Sequence, residues 1–152
     1  MPEIKFDFSD FNKKFKDVTK KQIPVLLEKG IGRSMLQLLN DCVMEVPTVP
    51  LREGWLRGSG SIFVQNKLVS TSEDAPRARS GFVNKNHNEG VKKDFLVGVI
   101  GYNTPYAAKV HEGITMHFRE PSSGAKYLES KMMRNRKVYM EIIANTIKEG
   151  GK

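Results

Sequence analysis

The sequence predicts an α+β fold: a long N-terminal helix, a small and largely antiparallel sheet with a long inserted hairpin or loop, a short helix, and a long C-terminal helix. Three observations predict it. Apolar residues recur three or four apart in both the N-terminal third and the C-terminal quarter, which is the helical period. Two runs of strand-forming residues lie between those segments. A long polar stretch separates the two runs. A chain of 152 residues hides roughly 70% of the surface that its unfolded form exposes, so residues 1–152 form a single domain that needs no staple.

The first helical signal is Phe8, Phe11, Phe15 and Val18, which predicts a short helix over Phe8–Lys20. From Ile23 to Val43 the apolar residues Leu27, Ile31, Met35, Leu38, Leu39 and Cys42 make one long stripe. Pro24 is tolerated in the first turn, where its missing N–H would have no helical partner. Gly30 and Gly32 each weaken a helix by up to ~1 kcal/mol, so a bend is expected there. Pro47 and Pro50 end the helix. Within residues 56–70, LRGSGSIFVQNKLVS, the run Ile62-Phe63-Val64 predicts a strand. Asp94–Tyr102, DFLVGVIGY, predicts a second strand, apolar on both faces and therefore central in its sheet.

Between the strands, residues 71–91 offer little to bury. They read as a mobile arm, or as a long hairpin with a short strand near Ser80–Val83 that includes Phe82. Thr104-Pro105 reads as a helix start, with Tyr106, Ala107 and Val110 facing inward and Gly113 as the stop. The last helix is expected from about Gly124 to Lys148. Its stripe of Leu128, Met132, Tyr139, Ile142, Ile143 and Ile147 is broken at Asn135.

Charge and composition exclude several classes. The single cysteine, Cys42, cannot form an internal disulfide, which fits a reducing cytoplasm. No apolar run approaches the ~20 residues that span a bilayer, and MPEIKFDFSDF lacks a signal-peptide layout, so no membrane partner is expected. The net charge is +8, with eleven basic residues against six acidic ones in 91–152. Such an excess favours any polyanion, nucleic acid or acidic protein alike.

No enzyme chemistry is expected. His111-Glu112 with His117 is the tempting metal set, but adjacent helix positions point about 100° apart and His117 follows a glycine stop. Cys42 falls on an apolar stripe, where cysteine acts as a small hydrophobe. Gly54, Gly58 and Gly60 match no phosphate-cradling spacing. The expectation is therefore no catalytic residue, no cofactor and no metal. The one-sided basic run of Lys131, Arg134, Arg136 and Lys137, with Lys126 a turn earlier, has three readings: a solvated face, a docking surface for acidic protein, or a nucleic-acid contact. Trp55, the only tryptophan, is either a core residue or an interface anchor.

Three stretches carry a family likeness when taken in order. VPTVPLREGWLRGSGSI ends a helix at a proline pair and opens the first strand. VGVIGYNTPYAAKVHEGI feeds a strand into a Thr-Pro-Tyr-Ala helix that closes on His-Glu-Gly, and GAKYLESKM opens the final helix with Tyr127-Leu128. Over about residues 25–148 the chain resembles the tail-completion, or head–tail joining, proteins of tailed bacteriophages, also called neck or minor capsid proteins.

The resemblance implies that Leu56-Arg57 and Ser61 link the long helix to the sheet and that Tyr106 packs the short helix on it. It also implies that His111, Glu112 and Gly113 serve the fold, Gly113 by allowing a sharp exit turn. As function it implies a homo-oligomeric ring, six subunits or alternatively twelve, in the virion neck after assembly in the host cytoplasm. Its partners would be a head connector or stopper on one side and a tail terminator or tail tube on the other. DNA would pass the channel without sequence-specific binding. Trp55, Arg57, Phe82, Lys126, Lys131, Arg134, Arg136 and Lys137 are the residues expected at assembly contacts. The competing classes are a basic nucleic-acid-binding module, betrayed by steep salt dependence, and a small hydrolase or toxin-like enzyme, for which no acid, base and nucleophile come together.

Overall fold

Helix α1 runs unbroken over Gln22–Met44. Its stripe is buried as the spacing predicts: Leu27, Ile31, Met35, Leu38, Leu39 and Cys42 are each at most 1% exposed. The computed structural model describes residues 22–72 and 96–150, and the backbone of 3–7. The helix expected over Phe8–Lys20, residues 73–91 of the arm with Phe82, and the start of the strand expected from Asp94 lie outside the described residues.

The sheet is antiparallel throughout, in the order β1-β4-β2-β3. Its strands are β1 (Glu3–Asp7), β2 (Gly60–Val64), β3 (Lys67–Thr71) and β4 (Val97–Tyr102). β4 lies between β1 and β2, the central place that its two apolar faces predict. The single strand expected within 56–70 is a hairpin, β2 and β3. Gln65 and Asn66 turn it with φ of 50° and 65°, the left-handed pair that a tight two-residue hairpin demands. A short helix, α2 (Trp55–Gly58), precedes it.

Helix α1 packs on β2 and β4 with one face and on the C-terminal helix with another, so it forms the middle layer. Close approach is possible because two of the facing positions have no side chain. A Cβ on Gly30 would stand 3.1 Å from the Ile143 Cα, and one on Gly98 only 2.2 Å from the Met35 sulfur. The Gly30 expected to bend α1 therefore serves contact between helices instead.

The long C-terminal helix is two helices, α4 (Glu129–Arg134) and α5 (Arg136–Gly150), which meet at Asn135. The Asn135 side-chain amide donates to Glu45 at 2.9 Å and to Asp41 at 3.3 Å. Asp41 also accepts from the Tyr139 hydroxyl at 2.7 Å and from Gln37 at 2.7 Å. A buried carboxylate is tolerable only with its lone pairs filled. This knot fills them and fixes where α4 ends.

Candidate functional site

Chemistry-bearing side chains gather at three places in the described residues. The first is the short helix α3 (Ala107–Glu112) and the chain that crosses it at 126–129. Thr104–Tyr106 is a turn and the helix begins at Ala107, so the inward positions are Ala107 and His111, one helical turn apart. The sequence places Tyr106 inside and His111 on the surface. The structure reverses them: Tyr106 is 44% exposed and His111 is 2% exposed. The physical reason is a one-residue change of helix phase, which rotates the buried face by about 100°.

His111 is held on three sides. Its Nδ1 pairs with Glu112 Oε1 at 2.7 Å, and its Nε2 accepts from the Glu129 backbone N–H at 3.5 Å. The Tyr127 ring stands perpendicular to it at a centroid distance of 4.9 Å. The Lys126 ammonium bonds Glu112 and lies 2.9 Å from Glu129. Lys126, and then His111, hold the Glu112 carboxyl below the usual carboxylate range, while Glu112 and Glu129 raise Lys126.

Among the described residues, His111, Glu112 and Glu129 bring ligand atoms within 4.8 Å of one another. A divalent cation there would have to displace the Lys126 ammonium, which already neutralises both carboxylates. His117 is not part of this cluster; it lines a groove with Trp55 and Phe118. The arrangement clasps α3 to the start of α4, whose Tyr127 and Leu128 are fully buried. Gly113 follows α3 with a φ of −77°, so no left-handed turn calls for it. It is required for space, since a Cβ would sit 2.9 Å from the Lys109 carbonyl oxygen.

The second place is the basic run, which the fold disperses. Lys131 is fully buried and donates to the Pro47 carbonyl. Burial lowers its ammonium below the usual lysine range. Arg134 donates to the Val46 carbonyl at 3.2 Å and lies 3.9 Å from Glu45. Lys126 is taken by its two glutamates. Of this run, only Arg136 and Lys137 remain exposed without an ion-pair partner among the described residues. The run makes no single basic face, and Lys131 presents none of its charge to a partner.

The third place is a groove of about 490 Å³ between residues 50–56 and 117–123, with Tyr106 and Val110 on its side. Trp55 is 44% exposed on its wall, so the anchor reading of this residue has a surface to act from. Arg57, expected at an interface, is buried behind the groove instead. Its Nε donates to the Val49 carbonyl at 2.6 Å, and its Nη2 bonds Thr48 at 3.4 Å and Glu120 at 3.0 Å. Thr48 and Ser123 form a parallel bridge behind the same wall. Leu56 and Ser61 are buried.

A separate, more open groove of about 540 Å³ runs between α1 and β3, lined by Val25, Leu36 and Val69 with Glu28, Lys29 and Arg33. Val25 is 65% exposed, Leu36 43% and Val69 49%. The sequence did not single out this surface, because Val25 and Leu36 fall among the polar residues of the α1 pattern. Cys42 is fully buried and its thiol is pushed up to about 12 by that burial, which leaves it inert at neutral pH. No family model matches the chain, and neither the curated proteins nor the solved structures contain a significant match to it.

Proposed function

We propose that the chain is a structural assembly subunit. In this reading it forms a ring in the neck of a tailed bacteriophage and joins the head connector to the tail, as the likeness of its three motifs implies. One observation supports the assembly reading above the others: the described residues expose two apolar grooves of different shape and composition, on different elements. Apolar side chains left facing water in a groove offer surface that a partner can take out of water. Two unlike patches suit head-to-tail contact, in which one face of a subunit meets a different face of the next, and such contacts close into a ring when the rotation per subunit allows.

The nucleic-acid reading loses its main support in the dispersal of the basic run. Phosphate tracking needs several free cations along one line. Here Lys131 is inside, and Arg134 and Lys126 are engaged. DNA would pass through the ring without being read.

Cryo-electron microscopy of virions of the encoding phage, sorted for the neck, tests the proposal. The expected map contains this fold as a ring between portal and tail, six or twelve copies round. A complete virion without the chain would overturn it.

A further inference from the structure

The 490 Å³ groove is built as a rigid site and not as a chance depression. Its two walls come from segments some seventy residues apart in the chain. The buried Arg57 guanidinium fastens both, holding Val49 and Thr48 on one side and Glu120 on the other. The backbone seals the same seam, with Thr48 N–H donating to Ser122 at 2.7 Å and Gly124 N–H to Thr48 at 3.2 Å. A buried charge is an expensive fastener, tolerated when its partners are well placed. Its effect is a groove whose walls do not have to be ordered when something enters, which removes part of the usual cost of binding.

The lining has two kinds of chemistry. Trp55 and Tyr106, each 44% exposed, with Phe118 and Val110, make an aromatic and aliphatic slot. Arg52, Arg119 and His117 stand exposed around it, and neither arginine has an ion-pair partner among the described residues. Of the two lining carboxylates, Glu120 is paired with Arg57, and Glu53 is itself engaged, so the two guanidiniums outnumber the one further carboxylate of the lining. The groove is thus apolar inside and positive at its rim.

We propose that this groove holds an extended acidic peptide segment that carries one large aromatic or aliphatic side chain, supplied by the protein onto which the subunit docks. The inference deepens the assembly reading, and rests on it for the identity of the donor as a neighbouring assembly protein. The apolar side chain enters between Trp55 and Tyr106, and the flanking carboxylates face Arg52 and Arg119. A cavity of this size is within the range that takes one such side chain with its backbone. Single-stranded nucleic acid also stacks on aromatic rings, but it needs a basic track several nucleotides long. Two guanidiniums beside one slot do not supply it.

Trp55 is the only tryptophan, so its emission reports on the groove directly. The probe is a synthetic hexapeptide of four acidic residues around a Phe-Leu pair, titrated into the full chain. Three controls accompany it: the same peptide with lysines for the acids, the same with a Gly-Gly centre, and oligo-dT. The acidic Phe-Leu peptide is expected to shift Trp55 emission saturably. Its affinity should fall about tenfold or more in Arg52→Glu/Arg119→Glu and when salt is raised, because rim charges act through screened attraction. Tyr106→Ala, which keeps the reporter, should lose binding while the circular dichroism stays that of the wild type. The proposal is overturned if the peptide leaves emission unchanged, if the lysine or Gly-Gly peptide binds as well, or if oligo-dT binds more tightly. It is also overturned if emission shifts with protein concentration alone and the peptide does not compete, since the occupant is then a second copy of the chain. Virions lacking the protein would overturn the neck reading without touching the titration.

Discussion

His111 ties two distant parts of the chain through one ring. It bonds Glu112 in its own helix and accepts from Glu129 beyond the 126–129 crossing, with Tyr127 packed against it. His111→Ala removes a buried ring and two polar contacts together, so a loss of about 2–4 kcal/mol is expected. Tyr106→Ala should stay near 0.5 kcal/mol, as exposed positions do. Urea midpoints of the two variants decide the matter, and the opposite ranking would return Tyr106 to the core.

The buried acids give a second prediction at this scale. Burial raises the Cys42 thiol from 9.0 to about 12, and raises the phenols of Tyr102, Tyr127 and Tyr139 above the usual tyrosine range. An acid raised on folding keeps its proton in the native chain after the unfolded chain has released its own. The stabilisation is therefore complete below the unfolded pKa and is lost as pH climbs through the gap. Lys131 has the opposite sign, because its lowered ammonium sheds a proton first in the native chain. Among the described residues, these four raised acids, with Lys126 raised as well, outweigh the one lowered ammonium. The urea midpoint should be level to about pH 8.5 and fall from pH 9 upward. Cys42→Ala should flatten the first part of that fall; an unchanged slope would mean that the thiol ionises in the native state.

At the scale of elements, the two glycines of α1 separate helix propensity from packing. A Cβ on Gly30 would meet backbone of α5, 3.1 Å from the Ile143 Cα and 3.3 Å from its carbonyl oxygen. Backbone in a packed helix cannot step aside, so Gly30→Ala is expected to lose about 1–3 kcal/mol despite its better propensity. A Cβ on Gly32 would meet only a methyl of Val69 at 3.3 Å, and Val69 is half exposed at the edge strand. Gly32→Ala should be neutral or gain up to about 1 kcal/mol. Thermal melts of the pair test this, and equal losses would show that helix bending, not contact, is what the glycines serve.

Elements were legible where the signal is local. The α1 stripe and the two-faced apolar β4 carry their own pattern. β3 does not, because Leu68 and Val69 are about half exposed and its turn is Gln65-Asn66, without a glycine to announce it. The break at Asn135 shows in the sequence as an interruption of the stripe. Its cause, the carboxylates of Asp41 and Glu45 some ninety residues earlier, does not. Lys131 was misplaced for a related reason. A sequence shows that it carries a charge, but not that its long stem can bury itself to reach the Pro47 carbonyl.

Of the candidate site, the sequence shows Trp55 and little else. The groove around it joins residues 50–56 to 117–123, and only the fold brings those segments together.

The described residues share one hydrophobic core and carry two unlike apolar grooves on their surface. Neither groove is large enough to hold subunits together permanently. Stable interfaces hide about 800 Å² or more on each partner. The purified chain is therefore expected to be monomeric or weakly associated at micromolar concentration, and to form its ring on a connector or tail template. Light scattering checks this, and a hexamer that persists at nanomolar dilution would contradict it.

In the proposed reading this domain joins two larger assemblies through the Trp55–Tyr106 groove. In vitro joining tests it most directly: heads and tails from an infection lacking the protein are mixed with purified chain, and joined particles are counted by electron microscopy. Wild type should restore joining. Trp55→Ala/Tyr106→Ala, with wild-type circular dichroism and urea midpoint, should lower it at least about tenfold, as loss of interface anchors does. Normal joining by that folded double variant would contradict the claim.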